Sequence, residues 1–247
     1  KLIISLNQMS EKLEKNFNEL TKKNKELDQF AYVVSHDLKA PLRGISNIIS
    51  WIEEDHVEHV TPGINRNLIL IKGRTLRLEN MINGLLEYAR VGKTKKSEET
   101  VRVQDVVNEL VELIVPLGTS LDISNKLPEI RAVKIHIEQI FANLLSNAVK
   151  HNPNKNLEIK IKYKDIGKFH EFTVSDNGPG IESKYFEKIF EIFQTLQERD
   201  AFESTGVGLA IVKKIIEDNN GKIVVESAGG KGTAFIFTLP KNKEDKK

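Results

Sequence analysis

Leu2, Leu6, Met9, Leu13, Asn16, Leu20, Lys23, Leu27, Phe30 and Val34 recur at alternating steps of four and three along the start of the chain. That spacing is the seam of a left-handed coiled coil and predicts a paired helix. A single long helix lying on a globular body would carry a similar stripe. Asn16 and Lys23 interrupt the seam, which costs stability but can fix register and oligomer state. The helical pattern continues through Ile45, Ile48, Ile49 and Ile52, with Pro41 predicting a kink where one backbone hydrogen bond is lost. Thr61-Pro62-Gly63 then offers an N-cap followed by Pro at the first helical position, so a second helix is expected from about Ile64 to Arg90. Two helices joined by a short loop form a hairpin, and pairing two hairpins buries both apolar stripes in a four-helix dimer bundle.

Residues 92–100 are poor in apolar side chains and read as a linker. Beyond them the period changes. Residues 157–163 alternate strictly, which predicts a strand with one wet face, and 171–174, 222–225 and 234–239 give further strands. Helices are expected near 104–115, 135–151 and 207–219. Strands interrupted irregularly by helices favour a mixed sheet with helices on one face. The expected fold class is therefore multidomain: an all-α helical-hairpin dimer bundle followed by an α/β sandwich. Its expected divisions are an entering coiled-coil helix at 1–26, a hairpin at 27–91, the linker at 92–100, the α/β domain at 101–240 and a solvated tail at 241–247.

Composition narrows the function. The 247 residues carry 37 Lys+Arg against 35 Asp+Glu, a net charge of +2, which argues against a partner made of nucleic acid. Cys is absent, which excludes a disulfide scaffold, a thiolate metal site and a cysteine nucleophile, and fits a cytoplasmic setting. No uncharged apolar run approaches the ~18 residues of a membrane span, so no membrane contact is expected of this segment. The chain opens Lys1-Leu2-Ile3-Ile4 without Met and already in helical pattern, which suggests a larger parent with an upstream domain.

Three segments carry candidate chemistry. Ser175-Asp176-Asn177-Gly178-Pro179-Gly180 sets a carboxylate at a strand end before two glycines, which is either an ordinary turn or a place where backbone approaches a flat ligand. Gly206-Val207-Gly208-Leu209 opens a helix, either a plain loop-to-helix turn or an anion site made of free N–H groups. On helix 135–151, Asn143, Asn147 and Lys150 stand beside the apolar stripe of Ile137, Ile140, Phe141, Leu144, Leu145, Ala148 and Val149. Asn is a poor helix former, and its amide oxygen can ligate Mg²⁺ while the Lys meets phosphate.

Taken in order, these segments resemble the ATP-binding domain shared by sensor histidine kinases, DNA gyrase B and the MutL proteins. Asn143 to Lys150 looks like the N box and Asp176 to Gly180 like the first glycine box. Phe190-Glu191-Ile192-Phe193 resembles the phenylalanine box, Thr205 to Ala210 the second glycine box and Gly230-Lys231-Gly232-Thr233 the third. Ser35-His36-Asp37-Leu38-Lys39-Ala40-Pro41-Leu42 resembles the H box of histidine kinases, with His36 at heptad position c when Val34 is a. The resemblance covers about 27–240.

It implies a homodimeric kinase core that moves the γ-phosphoryl group of ATP, with Mg²⁺, to His36 and then to the aspartate of a response-regulator receiver domain. It implies an upstream sensor domain in the parent protein. Asp37 and Lys39 would assist at the histidine, and Asn143, Asn147, Lys150, His151, Asp176, Gly178, Gly180, Gly206, Gly208 and Thr233 would bind ATP, with Asn147 on the metal. Ala40 stands where many relatives have a water-positioning Thr or Asn, Ser204 replaces a frequent glycine, and Ile192 a frequent Arg. An ATP-driven clamp without phosphotransfer and a non-catalytic dimeric scaffold are the alternatives. His56 with His59, and Trp51, read as solvated surface and bundle core respectively.

Overall fold

The computed structural model describes residues 9, 12, 14–16, 19, 35, 37–54, 61–91, 97–123, 126–153, 156–195 and 205–241. The chain divides into two units, Lys1–Arg90 and Val91–Lys247. Of the expected coiled-coil seam, Met9 and Asn16 are described, both helical and exposed; the other seam positions, with His36, His56, His59, Ser204 and the tail beyond 241, lie outside the described residues.

In the first unit, α1 (37–54) remains helical on both sides of Pro41. Helix α2 is Pro62–Arg90. Its start follows the sequence: Thr61 Oγ1 accepts the Ile64 N–H at 3.3 Å and the Thr61 carbonyl accepts the Asn65 N–H at 2.9 Å, while Pro62 has no N–H to satisfy. Lys72 Nζ meets Glu53 Oε2 at 2.7 Å, which sets α1 beside α2. That pair is exposed and adds little to stability. Ile49 and Leu68 are buried, but Leu38, Ile45, Ile48, Trp51, Ile69 and Leu76 are exposed in the single chain, Trp51 at 60%. Trp51 is thus not core within one hairpin.

The second unit runs β1 Glu99–Arg102, α3 Val103–Ile114, β2 Ser120–Ile123, β3 Glu129–Ala132, α4 Lys134–Lys150, β4 Glu158–Asp165 and β5 Phe169–Asp176. Two 3₁₀ turns follow at Ser183–Tyr185 and Lys188–Phe190, then α5 Gly208–Asp218, β6 Ile223–Ser227 and β7 Thr233–Pro240. Five strands form a mixed sheet in the order β2-β4-β5-β7-β6, where only β2 and β4 are parallel. Strands β1 and β3 make a separate antiparallel ribbon, so Glu99 and Thr100, at the end of the expected linker, already pair with Ala132 and Arg131.

Alternation decides which face is covered. Ile159, Ile161, Phe172, Val174, Phe235, Phe237 and Leu239 are buried, whereas their neighbours Lys160, Lys162 and Val224 are exposed on the other side. The covered face packs against the apolar stripes of α4 (Ile137, Ile140, Phe141, Leu144) and α5 (Ile211, Val212, Ile215). At its centre Phe141 meets Phe172 and Phe237 edge-on at 5.8 and 5.7 Å between ring centroids, and Phe172 stacks on Phe237 at 5.2 Å. Such ring geometry adds to the burial term. Helices on one face of a mixed sheet, after a helical hairpin, are the expected fold class.

Because Phe172 is fully buried between a helix and a neighbouring strand, Phe172→Ala should destabilise this unit by about 3–5 kcal/mol. Urea unfolding followed by far-UV circular dichroism measures it, and a loss below about 1 kcal/mol would show that the triad is not the packing centre.

Candidate functional site

The polar end of the covered face begins with Asp176, the last residue of β5. Pairing sets Ile159 opposite Asp176, Asp176 opposite Thr233, and Thr233 opposite Ser227, one row across β4, β5, β7 and β6. All four share the parity of the buried core strand positions, so the row continues the core in chemistry that turns polar.

Asp176 is half-buried. Its Oδ1 accepts the Gly178 N–H at 2.7 Å, and the Thr233 N–H also bonds the carboxylate. Burial pushes the Asp176 carboxyl above its ordinary range, and it outweighs these two N–H groups, which pull the other way. Among the described residues, the carboxylate is thus held by backbone N–H groups, with acceptor capacity left and no cation bonded to it.

Glycines make that packing possible. A Cβ on Gly232 would overlap the Asp176 carbonyl oxygen, and one on Gly178 would stand 2.7 Å from Asp176 Oδ1. The two loops that carry them are joined: the Gly230 N–H donates to the Pro179 carbonyl at 2.7 Å, and Gly180 faces the Ala228 carbonyl.

Helix α4 supplies the second wall. Asn143 Nδ2 donates to the Gln139 carbonyl at 2.8 Å, and its Oδ1 lies where a Gly208 Cβ would be. The missing side chain of Gly208 therefore lets the first turn of α5 approach α4. Val207, the N-cap of α5, makes no side-chain cap bond, and a helix start of this kind can receive an anion. Asn147 is half-buried one turn after Asn143, Lys150 is exposed at the helix end, and His151 is the C-cap residue, its N–H bonded to the Asn147 carbonyl at 3.1 Å.

The phenylalanine-rich segment and the second glycine pair also meet. Phe193 N–H donates to the Gly206 carbonyl at 2.8 Å, with Phe193 at φ 66° and Gly206 at φ 67°. Chain leaving at 195 and returning at 205 is thereby pinned at neighbouring backbone positions.

Asn143, Asn147, Asp176, Gly178, Gly180, Gly206, Gly208 and Thr233 are thus carried by segments joined to one another in the second unit. Asp37 and Lys39 stand on α1, exposed and half-buried respectively. Among the described residues no group of three His, Asp or Glu could cage a metal. Asn147 offers one hard amide oxygen, which suits Mg²⁺ that takes its other ligands from phosphate and water.

Two contributors were missed by sequence reasoning. Asn177 Oδ1 accepts from Asn152 Nδ2 at 2.7 Å and from the Glu158 N–H at 3.0 Å, and its Nδ2 donates to the Asn156 carbonyl at 2.8 Å, so it ties the segment after α4 to the glycine turn. Ser227 closes the row, and the period-two pattern of β6 would have placed it on the covered face. A cavity of about 440 Å³ is lined by Glu158, Lys160, Ser175, Glu226 and Lys231 together with Asp176, Ser227 and Thr233 of the row itself, so it carries mixed charge and adjoins the row.

Two families match the sequence. The one described as Histidine kinase-, DNA gyrase B-, and HSP90-like ATPase covers residues 132–243, and His Kinase A (phospho-acceptor) domain covers 26–94. Cyanobacterial phytochrome B of Nostoc sp. is 40% identical over 228 residues, 90% of this chain but 30% of the relative, so the chain spans under a third of its length. The crystal structure of full-length ShkA in complex with AMPPNP superposes with a TM-score of 0.65 at 25% identity, over 86% of this chain and 46% of that one. Histidine kinase ThkA in complex with the response regulator protein TrrA gives 0.60 at 25% identity, over 90% and 65%. With both matched families in the order that the two units present, the chain belongs to the sensor histidine kinases and holds their catalytic core.

Proposed function

We propose that this chain transfers the γ-phosphoryl group of ATP to His36 and then supplies it to an aspartate of a response-regulator receiver domain. The observation that carries the reading is Asp176, a part-buried carboxylate with unfilled acceptor capacity, set between glycines whose side chains would not fit. The adenine amino group is the donor that matches it. Gly178 and Gly180 shape the base side, while Asn143, Lys150, His151, Gly206 and the α5 terminus at Gly208 face the phosphates and ribose. Asn147 would hold Mg²⁺, which would supply charge compensation at the phosphates.

At the acceptor, His36 must be deprotonated on its attacking nitrogen. Asp37 orients the ring through its other nitrogen and stabilises the cation formed on attack. Lys39 adds a positive charge near the transferred group. With a loose transition state, alignment and charge compensation supply most of the acceleration.

The assembly is a homodimer: the apolar side chains that a single hairpin leaves exposed on α1 and α2 need a second hairpin to cover them. ThkA, crystallised with a response regulator, supports the next acceptor, and the phytochrome relative, more than three times longer than the matched region, supports an upstream sensor domain. The proposed divisions are the entering helix 1–26, the phosphoacceptor hairpin 27–91, the linker 92–100, the ATP-binding domain 101–240 and the tail. This segment works in the cytoplasm, without nucleic acid.

Incubation with γ-labelled ATP should give an acid-labile, base-stable label on the protein. His36→Gln should abolish it and leave ATP affinity within about twofold, because acceptor and nucleotide site lie in separate units. Labelling of that variant at the parent rate would sink the assignment.

Asp176 also makes a pH prediction. Its folded pKa lies above the ordinary 3.8, so its favourable contribution is complete below that value and is lost as pH rises through the raised one. Nucleotide-free Asp176→Asn should therefore exceed the parent in unfolding free energy at pH 7, and the advantage should vanish below about pH 4. ATP binding should fall in the same variant. Equal stability at both pH values would show that the carboxylate is not penalised.

Ala40 is exposed on α1 and stands four residues after His36 in the sequence. Its methyl cannot hold a water, so dephosphorylation of the regulator should be slow. Ala40→Thr should raise that rate by about 10²-fold with little change in autophosphorylation, by analogy with one transition-state donor. Rapid dephosphorylation by the parent protein with ADP would contradict this.

A further inference from the structure

The chain between the end of α4 and the start of β4 is gathered around one side-chain amide. Asn177 follows Asp176, the last residue of β5, and its N–H still donates to the Glu158 carbonyl at 3.3 Å. Its side chain completes that pairing: Oδ1 accepts the Glu158 N–H at 3.0 Å, and Nδ2 donates to the Asn156 carbonyl at 2.8 Å. Oδ1 also accepts from Asn152 Nδ2 at 2.7 Å, which brings its second lone pair into use. Asn152 comes directly after His151, the C-cap of α4. A Cβ on Gly178 would stand 2.7 Å from Asp176 Oδ1 and 3.6 Å from Asn152 Cγ and Nδ2, so the Asn152 amide and the Asp176 carboxylate border the same point. The last buried residue of α4 is Ala148. Burial therefore fixes the helix that far, and Lys150, His151 and Asn152 are left to polar contacts.

From this arrangement we infer that Asn177 is a positioning residue for the kinase reaction: its amide fixes the end of α4 against the Asp176 turn and so sets the spacing between the base side and the phosphate side of the pocket. The inference rests on the nucleotide reading of this site, in which Asp176 meets the base while Lys150 and His151 meet phosphate and ribose. Asn177 acts through Asn152 and the main chain. The task needs an oxygen that accepts twice and a nitrogen that donates, all on one short side chain. Aspartate has the same shape but turns an acceptor toward the Asn156 carbonyl and adds a second charge beside Asp176. Phosphoryl transfer depends on alignment, and a displacement of about 1 Å can cost about 10²-fold in rate.

The test separates positioning from stability. Autophosphorylation rates against ATP concentration are measured on the whole chain and on Asn177→Ala, Asn177→Asp, Asn152→Ala and the double alanine variant, at a temperature where circular dichroism shows each folded. Asn177→Ala should lower kcat/KM per folded molecule by about 10- to 100-fold. Asn177→Asp should do no better, although it fills the same space. Asn152→Ala should lose less than Asn177→Ala, and adding it to Asn177→Ala should change nothing further, because the two share one bond. A lowered melting temperature with kcat/KM per folded molecule at the parent value would make Asn177 a structural residue and overturn the inference. Parent kinetics in Asn177→Asp would also overturn it, by showing that shape suffices. So would parent kinetics in Asn152→Ala, a variant that removes a smaller set of contacts and keeps the test open if substitutions at 177 do not fold. A parent chain that takes no label from ATP fails the nucleotide reading itself, whereas a labelled parent with insensitive variants fails the Asn177 inference alone.

Discussion

The register between β5 and β7 is the constraint on which the site depends. With Asp176 opposite Thr233, the carboxylate continues the face that carries Phe172 and Val174, and Gly232 comes against its carbonyl. A slip of one residue would turn Asp176 to the open face and drive Phe235, Phe237 and Leu239 out of the core. The register that buries the aromatic triad is therefore the one that places the carboxylate, and the core and the candidate site are specified by one set of strand pairs. Ser227 belongs to the same argument, because β6 pairs with β7 in a register that makes it the next member of the row.

Helix α4 joins that sheet through chemistry of opposite kinds on its two sides. Ile140, Phe141 and Leu144 bind it to the strands by burial, while Asn143, on the next face round, meets Gly208. Asn in a helix interior gives up propensity, and glycine at the start of a helix gives up order in the unfolded chain. Both losses fall where a ligand is expected and are offset by the apolar stripe beneath. Local rules are broken at the site and kept in its support, the pattern expected when a rigid scaffold carries function.

What could be read in the sequence follows the range of the interactions involved. Helices α4 and α5 and strand β4 were legible because their periodicity is local, and Thr61-Pro62 marked the start of α2 by its own cap chemistry. Asp176 and the glycines were legible as composition at a strand end, and the order of the boxes made them a family. Strands β1, β2 and β3 were not, since each has four residues and β1 buries just Val101, too little for a period to show. Ser227 was invisible for another reason: a serine ending a strand is unremarkable until a residue six positions on is known to lie beside it. Trp51, expected in the core of a bundle, is exposed in the single chain because burial in a bundle is a property of two hairpins and one chain supplies half of the covering surface.

The direction of the Asp176 shift closes the argument about how such a site is maintained. A carboxylate that is partly buried with backbone donors alone is a cost to the empty protein, and the surrounding core must carry it. A ligand amino group would return part of that cost on binding, so occupancy and stability of this unit are linked in sign: whatever satisfies Asp176 also favours the folded sheet. Replacing the aspartate with a neutral side chain would relieve the empty domain and remove the reason for a donor to bind. The stability of the empty fold gives no reason for an aspartate at this position, and the proposed ligand does.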